Sequence, residues 1–315
     1  MSLDLVIIGA GPAGLTAGVY CRSRKLTTLI LDAGEAGGQL TSLYPDKGIA
    51  NYPGFVMTQA KKLAERMIAH AQHMGCEMHE NEKVVDIVDS EGQLLVRSDK
   101  KDYPCKAVII AAGIGLFKPK KLGIQGEKEF YGKGITYKIP EKDTLIDKKV
   151  LFVGGGNSAL EMALIASQVA ETYVLHRRDE FRADEGIVEQ VENSSIQTIM
   201  SGQIEDIRGN EVVEEVVIKV ADMEENLILK IDLVVINIGF TPELEELKRW
   251  NVELKGTQIV VDPDMRTSRP GVFACGDIVT YPGKYKQIVT GCGEAATAAN
   301  SAYKFIKNPY WARSG

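Results

Sequence analysis

Short runs of consecutive apolar residues, each delivered into a glycine, recur along the chain and are separated by segments of helical character. The first, Leu5-Val-Ile-Ile8, runs directly into Gly9-Ala-Gly-Pro-Ala-Gly14. The stretch that follows to Lys25 predicts a helix, and Thr27–Leu31 predicts a second strand closing at Asp32. Strand, glycine turn, helix and strand together make a βαβ unit. The same pattern returns at Lys149-Val-Leu-Phe-Val153, which enters Gly154-Gly-Gly-Asn-Ser-Ala159, and the next strand, Thr172–Leu175, ends at His176-Arg177-Arg178. Two further apolar strands, Lys106–Gly113 and Asp232–Gly239, form a matching pair, one in each half. Each ends in glycine where the chain could cross between domains or turn in the ordinary way. Val272–Ile278 adds a strand that closes in Gly276-Asp277. Strands alternating with helices predict an α/β protein built from two Rossmann-like, three-layer dinucleotide-binding domains.

The glycines carry the chemistry. Gly9 allows a tight turn, Gly11 lets backbone approach a pyrophosphate at the helix N-terminus, and Gly14 lets the helix pack on the strand. In the second unit Gly154 and Gly156 hold the first two of these places and Ala159 the third. Asp32 lies 23 residues after Gly9, and Arg177 lies 23 residues after Gly154. The two places are equivalent and opposite in charge. A carboxylate there holds the free ribose hydroxyls of an adenosine, whereas a guanidinium offers a planar fork to a 2′-phosphate. Arg177, Arg178 and Arg182 therefore point to NADP(H); the alternative is a solvated basic turn.

Composition sets the outer bounds. A chain of 315 residues is long enough for two domains, and 44% hydrophobic with 25% charged residues describes an ordinary globular protein. The apolar runs are far shorter than the ~20 residues of a membrane span, and Met1-Ser-Leu-Asp4 carries no signal peptide, so a cytoplasmic protein without a membrane partner is expected. The formal net charge of −6 and pI near 5.5 argue against nucleic acid as partner. Five cysteines, Cys21, Cys76, Cys105, Cys275 and Cys292, are scattered without the spacing of a zinc site or redox pair. No metal site is expected; His70 and His73, three apart on a predicted helix, have the polar neighbours of a solvated face.

Two dinucleotide sites of unlike charge imply two dinucleotides, NADP(H) at the second and FAD at the first. Gly37-Gly38-Gln39-Leu40 is a loop whose backbone can approach a ring system, and Gly276-Asp277 can meet the ribitol or pyrophosphate of a flavin. With these segments in place the chain resembles the low-molecular-weight pyridine nucleotide–disulfide oxidoreductases, the group of thioredoxin reductase, from residue 3 to about 309. The resemblance implies an FAD domain of residues 1–116 and 243–315 with an NADPH domain, 117–242, inserted into it.

One departure narrows the resemblance. The group's reductases of thioredoxin carry a Cys-x-x-Cys dithiol before the second glycine motif, and here that region, Tyr131–Asp143, has no cysteine. The chain is more similar to the thioredoxin-reductase-like ferredoxin/flavodoxin–NADP⁺ reductases. Gly37-Gly-Gln-Leu-Thr-Ser-Leu-Tyr-Pro45, Phe117-Lys-Pro-Lys-Lys-Leu122, His176-Arg-Arg-Asp-Glu-Phe-Arg-Ala183 and Thr290-Gly-Cys-Gly-Glu-Ala-Ala-Thr-Ala298 all match that branch. The resemblance assigns FAD to Gly9, Gly11, Pro12, Ala13, Gly14, Asp32, Gln39, Leu40, Tyr44, Asn51, Gly113, Gly276, Asp277, Gln287 and Ile288. It assigns NADPH to Gly154, Gly156, Asn157, Ser158, His176, Arg177, Arg178 and Arg182. Tyr44 would stack on the isoalloxazine or be a core tyrosine. Members of that branch continue beyond the last helix with a tail that covers a partner subunit's flavin in a homodimer, and by that resemblance the cover after Asn308 is expected to be short or missing.

The hydride step between NADPH and FAD asks no side chain to act as acid or base, so no catalytic residue is expected. Ferredoxin or flavodoxin is the implied one-electron partner, with Lys118, Lys120 and Lys121 as candidate docking lysines. An NADPH oxidase, a disulfide reductase using Cys275 and Cys292, and a slow-turnover flavin-binding regulatory protein are the alternatives.

Overall fold

The computed structural model describes residues 3–43, 45–90, 92–113, 117–138, 140–221, 223–242 and 244–309. Its chain divides into two compact units, Met1–Lys118 with Pro242–Gly315, and Pro119–Thr241.

The first unit begins with β1 (Leu3–Ile8), α1 (Pro12–Ser23), β2 (Thr28–Leu31), α2 (Ala60–His73), β3 (Glu77–His79) and β4 (Asp102–Ile110). These strands lie in the order β3-β2-β1-β4, all parallel, and the strand Val272–Ala274 continues the sheet beyond the second half of β4. Leu5, Val6 and Ile7 are fully buried. A strand bonded on both edges and covered on both faces needs apolar residues at every position, which is why β1 reads as an unbroken run.

β4 begins four residues before the sequence suggests, at Asp102 instead of Lys106. Its first half pairs antiparallel with Gln93–Ser98, and there burial alternates, with Tyr103 and Cys105 inside and Asp102, Pro104 and Lys106 outside. Only beyond Lys106 is the strand continuously buried. The alternating half and the hairpin Val84–Ser90 with Gln93–Ser98 give weaker signals than the parallel core, and neither is evident from the sequence.

The second unit repeats the plan. β5 (Ile135–Thr136), β6 (Lys149–Val153), α3 (Asn157–Ala166), β7 (Glu171–Leu175), β8 (Gln197–Ile199) and β9 (Leu233–Ile236) form a parallel sheet in the order β8-β7-β6-β9-β5. On one face Leu151, Val153, Leu175, Val234 and Ile236 pack against Ile204, Val216 and Ile218 of a three-stranded antiparallel sheet. α3 packs on β6 and β7. In both units the glycine turn leaves the strand at which the order reverses direction, the switch point where open α/β sheets hold their ligands.

Candidate functional site

At the first turn the three glycines have different physical reasons. A Cβ on Gly9, whose φ is +106°, would lie 2.4 Å from the Ala111 carbonyl oxygen, and one on Gly14 would lie 1.8 Å from the Gly9 oxygen. The fold itself demands glycine at both. Gly11 is different: a Cβ there would meet only Gly38 Cα, at an ordinary contact distance of 3.9 Å, so the fold alone does not demand glycine. Gly11 is also the N-cap of α1 and supplies no side-chain cap, so the first-turn amides remain for an anion. Gly37 N–H donates to the Ala10 carbonyl at 2.9 Å, and Gly38, at φ +59°, lies against Gly11. Gln39 is half-buried at the start of a short helical turn. Leu40 is a core residue, packed in a cluster with Ile49, Leu63 and Ala64, so what it offers a cofactor is main chain.

Asp32 ties the turn to the end of β2. Its Oδ2 accepts the Ala10 N–H at 2.6 Å and its Oδ1 the Gly34 N–H at 2.8 Å. Burial raises its pKa above the usual carboxylate value, and the two backbone donors work against that rise. Each oxygen keeps a lone pair for a ribose hydroxyl. An asparagine here would turn an NH₂ toward one of the two amides. Asp32→Asn should therefore weaken FAD retention by about 1–3 kcal/mol, measured by flavin fluorescence on dilution; unchanged retention would show that this carboxylate does not face the cofactor.

The C-terminal segment closes the same turn. A Cβ on Gly276, at φ +82°, would lie only 3.1 Å from that of Ala13, and helix Ile288–Lys307 approaches this glycine through Gly291. Asp277 is half-buried beside it, and Gly113, at φ +55° after β4, has open space around it. Asn51 Nδ2 donates to Gln287 Oε1 at 2.9 Å, while Ile288 packs on the Leu40 cluster. Tyr44 lies outside the described residues, as do Tyr310 to Gly315. Glu294 is a site residue that sequence reasoning misses. This carboxylate, 5% exposed, accepts the Gly276 N–H at 2.8 Å and the Tyr281 hydroxyl at 2.6 Å and pairs with Lys284. The available signal was a lone charge in a helix of small residues, Gly291-Cys-Gly-Glu-Ala-Ala296.

The second turn is built alike. A Cβ on Gly154, at φ +151°, would meet the Asn237 carbonyl oxygen at 2.4 Å, Gly156 has nothing within 4 Å, and Ala159 fits in the third place. Gly156 caps α3 without a side chain. Gly155 is required by His176, whose ring would lie 2.4 Å from a Cβ there. His176 is 7% exposed and stacks on Phe181 at 5.7 Å. Burial holds its pKa below the ordinary value against a hydrogen bond with the Glu180 backbone, and the nearby arginines add to the lowering. Asn157 is engaged on both ends, donating to Asp184 Oδ2 and accepting the Asp184 N–H, and Ser158 follows it in the first turn of α3. Arg177, Arg178 and Arg182 are exposed, and none has an ion-pair partner among the described residues. Their backbone is nonetheless fastened: Arg182 N–H donates to Gly155 O at 2.7 Å, and Ser201 N–H to Arg178 O at 2.9 Å.

Four buried side-chain atoms lack a hydrogen-bond partner among the described residues, and two of them, His176 Nε2 and Asn237 Nδ2, flank this turn. Buried polar atoms are almost always paired. The two at this turn, with its uncapped helix N-terminus and the open space at Gly156, fit a dinucleotide here.

All five cysteines lie in the first unit, and the second has none. Burial pushes the thiols of Cys21, Cys105 and Cys76 up to about 12, 12 and 11, and it raises those of Cys275 and Cys292 as well. Cys275 is fully buried. A thiol held protonated is a poor nucleophile. Replacing Cys275 and Cys292 with serine should leave NADPH-driven turnover within twofold; loss of turnover, or reduction of thioredoxin that the replacement abolishes, would give these thiols a relay role.

The sequence matches the family model described as pyridine nucleotide-disulphide oxidoreductase over residues 3–301. The chain belongs to this family. Its cofactors are FAD and NADP(H). It is 41% identical to a ferredoxin–NADP reductase of Thermus thermophilus, covering 97% of this chain and 93% of the relative. It is 37% identical to one of Halalkalibacterium halodurans, covering 96% and 93%. Among solved structures, Lactococcus lactis thioredoxin reductase in its FR conformation superposes with a TM-score of 0.84 at 30% identity, covering 98% of this chain and all of that one. The thioredoxin reductase of T. acidophilum gives 0.84 at 31%, covering 96% and 98%. This oxidoreductase is thus similar in fold to enzymes named for thioredoxin and, at higher identity, similar in sequence to enzymes named for ferredoxin. None of its described helices is long and apolar enough to cross a membrane.

Proposed function

We propose that the chain moves electrons between NADP(H) and a one-electron carrier protein, ferredoxin or flavodoxin, through FAD and without a dithiol relay. The observation that carries this is the cysteine-free second unit, together with relatives named for ferredoxin at 36–41% identity. FAD supplies a ring that accepts a hydride from NADPH and gives up electrons singly.

The chain's own residues bind and orient. Gly11 and the first turn of α1 face the FAD pyrophosphate, Asp32 accepts from its adenosine ribose, and Gly276, held by Glu294, closes the site with Asp277 beside it. Gly156 and the first turn of α3 face the NADP(H) pyrophosphate, and Arg177, Arg178 and Arg182 hold the 2′-phosphate. Neutral His176 presents an unspent Nε2 beside them. Lys120 and Lys121 are exposed and available to an acidic carrier. The assembly is proposed to be a cytoplasmic homodimer, which light scattering of the purified protein would check.

The deciding experiment is anaerobic reduction by NADPH followed in the flavin absorbance, with ferredoxin, flavodoxin and thioredoxin then offered in turn. Rapid bleaching with reoxidation by ferredoxin or flavodoxin is expected. A protein that takes up no FAD, or one reoxidised by thioredoxin alone, would overturn the proposal; peroxide formed stoichiometrically in air with no response to any carrier would make it an oxidase.

A further inference from the structure

Asn237 has no role in the site as derived so far, yet its side-chain Nδ2 is buried without a hydrogen-bond partner among the described residues. Leaving an amide donor buried and unpaired is costly, and one beside a glycine turn is placed for a ligand to satisfy it. Its position says which part of the ligand. Asn237 follows β9, donating its backbone N–H to Val153 O at 2.8 Å, and its carbonyl fills the place where a Cβ on Gly154 of the glycine turn would lie. Val234 and Ile236 face the antiparallel sheet, so by strand alternation Asn237 shares the opposite face with Val235.

The strand order then lays out the nucleotide. Arg177 and Arg178 follow β7, the open Gly156 and α3 follow β6, and Asn237 follows β9, the next strand across the switch point. A dinucleotide with its 2′-phosphate over β7 and its pyrophosphate at α3 brings its nicotinamide ribose over β9. We infer that the Asn237 side-chain amide donates a hydrogen bond to an oxygen of the nicotinamide half of NADP(H), on the ribose or the phosphate joined to it. It is a positioning residue, fixing the reactive end of a ligand whose other end the arginines hold. This rests on the assignment of the second turn to NADP(H).

The test compares two ligands that share the adenosine half, NADP⁺ and 2′,5′-ADP, by calorimetric titration of the oxidised FAD-loaded protein. Asn237→Ala and the near-isosteric Asn237→Leu should each weaken NADP⁺ about tenfold, the worth of one hydrogen bond. Binding of 2′,5′-ADP should stay within twofold. Arg178→Ala, in contrast, should weaken both ligands. Since each Asn237 variant removes an orphaned donor, thermal unfolding of the nucleotide-free protein should not come at a lower temperature for Asn237→Leu. Equal losses for both ligands, no loss for either, or a lowered unfolding temperature with unchanged NADP⁺ binding would overturn the inference. Failure of the unaltered protein to bind either ligand would instead remove the NADP(H) assignment, and the inference with it.

Discussion

Replacing Arg177 and Arg178 together with alanine will weaken NADPH by roughly a hundredfold or more while leaving NADH almost untouched. Two charge-assisted contacts at the low end of about 1.5 kcal/mol each are enough for that factor. Neither guanidinium has an ion-pair partner among the described residues, so their removal orphans no carboxylate, and both are exposed, so no core is disturbed. The loss should therefore fall on the 2′-phosphate alone. Steady-state KM values for the two nucleotides, with kcat followed separately, make the check. Equal losses would mean that these arginines serve folding or general docking, and that the opposite charges at Asp32 and Arg177 do not sort the two cofactors.

The second large effect belongs to Glu294. Glu294→Ala would leave Lys284, whose side chain is 6% exposed, in a buried site without its carboxylate. Breaking a buried pair on one side costs about 3–5 kcal/mol. It also strips the Gly276 N–H of its acceptor, so FAD retention should fall along with stability. A paired change, Glu294→Leu with Lys284→Met, separates the two consequences, because replacing both charges by apolar groups of similar size is nearly neutral for stability. Urea unfolding should then recover in large part, short of the cost of the unpaired Gly276 amide and Tyr281 hydroxyl, while FAD release stays fast, since Gly276 is still without its acceptor. Retention that recovers together with stability would show that Glu294 serves the core and not the cofactor turn.

How much of this was legible in the sequence depends on how local its cause is. The two parallel cores and glycine turns were readable because runs such as Leu5–Ile8 and Leu151–Val153 are buried at every position, and because turn, helix and second strand follow within thirty residues. The charge reversal between Asp32 and Arg177 needed only counting. The antiparallel sheets were not readable; their strands alternate, as in Gly202–Gly209, and their pairing depends on neighbours that no periodicity names. Glu294 and Asn237 are invisible in the sequence for the same reason. Glu294 is defined by a Gly276 amide 18 residues away, and Asn237 by the absence of any partner, which only packing can reveal. The sequence marks Asp32 as a ribose acceptor, and the structure adds that it first fastens the turn to β2.

The distribution of thiols gives the protein a built-in reporter. Every cysteine belongs to the unit of Met1–Lys118 and Pro242–Gly315, and burial keeps each thiol protonated. An alkylating reagent can modify Cys21, Cys105 or Cys275 only after the surrounding strands and helices part, so its rate follows local opening of that unit. The other unit contributes no signal at all. Labelling kinetics with and without added nucleotide would therefore separate the breathing of one half of the molecule from that of the other, with no engineered probe.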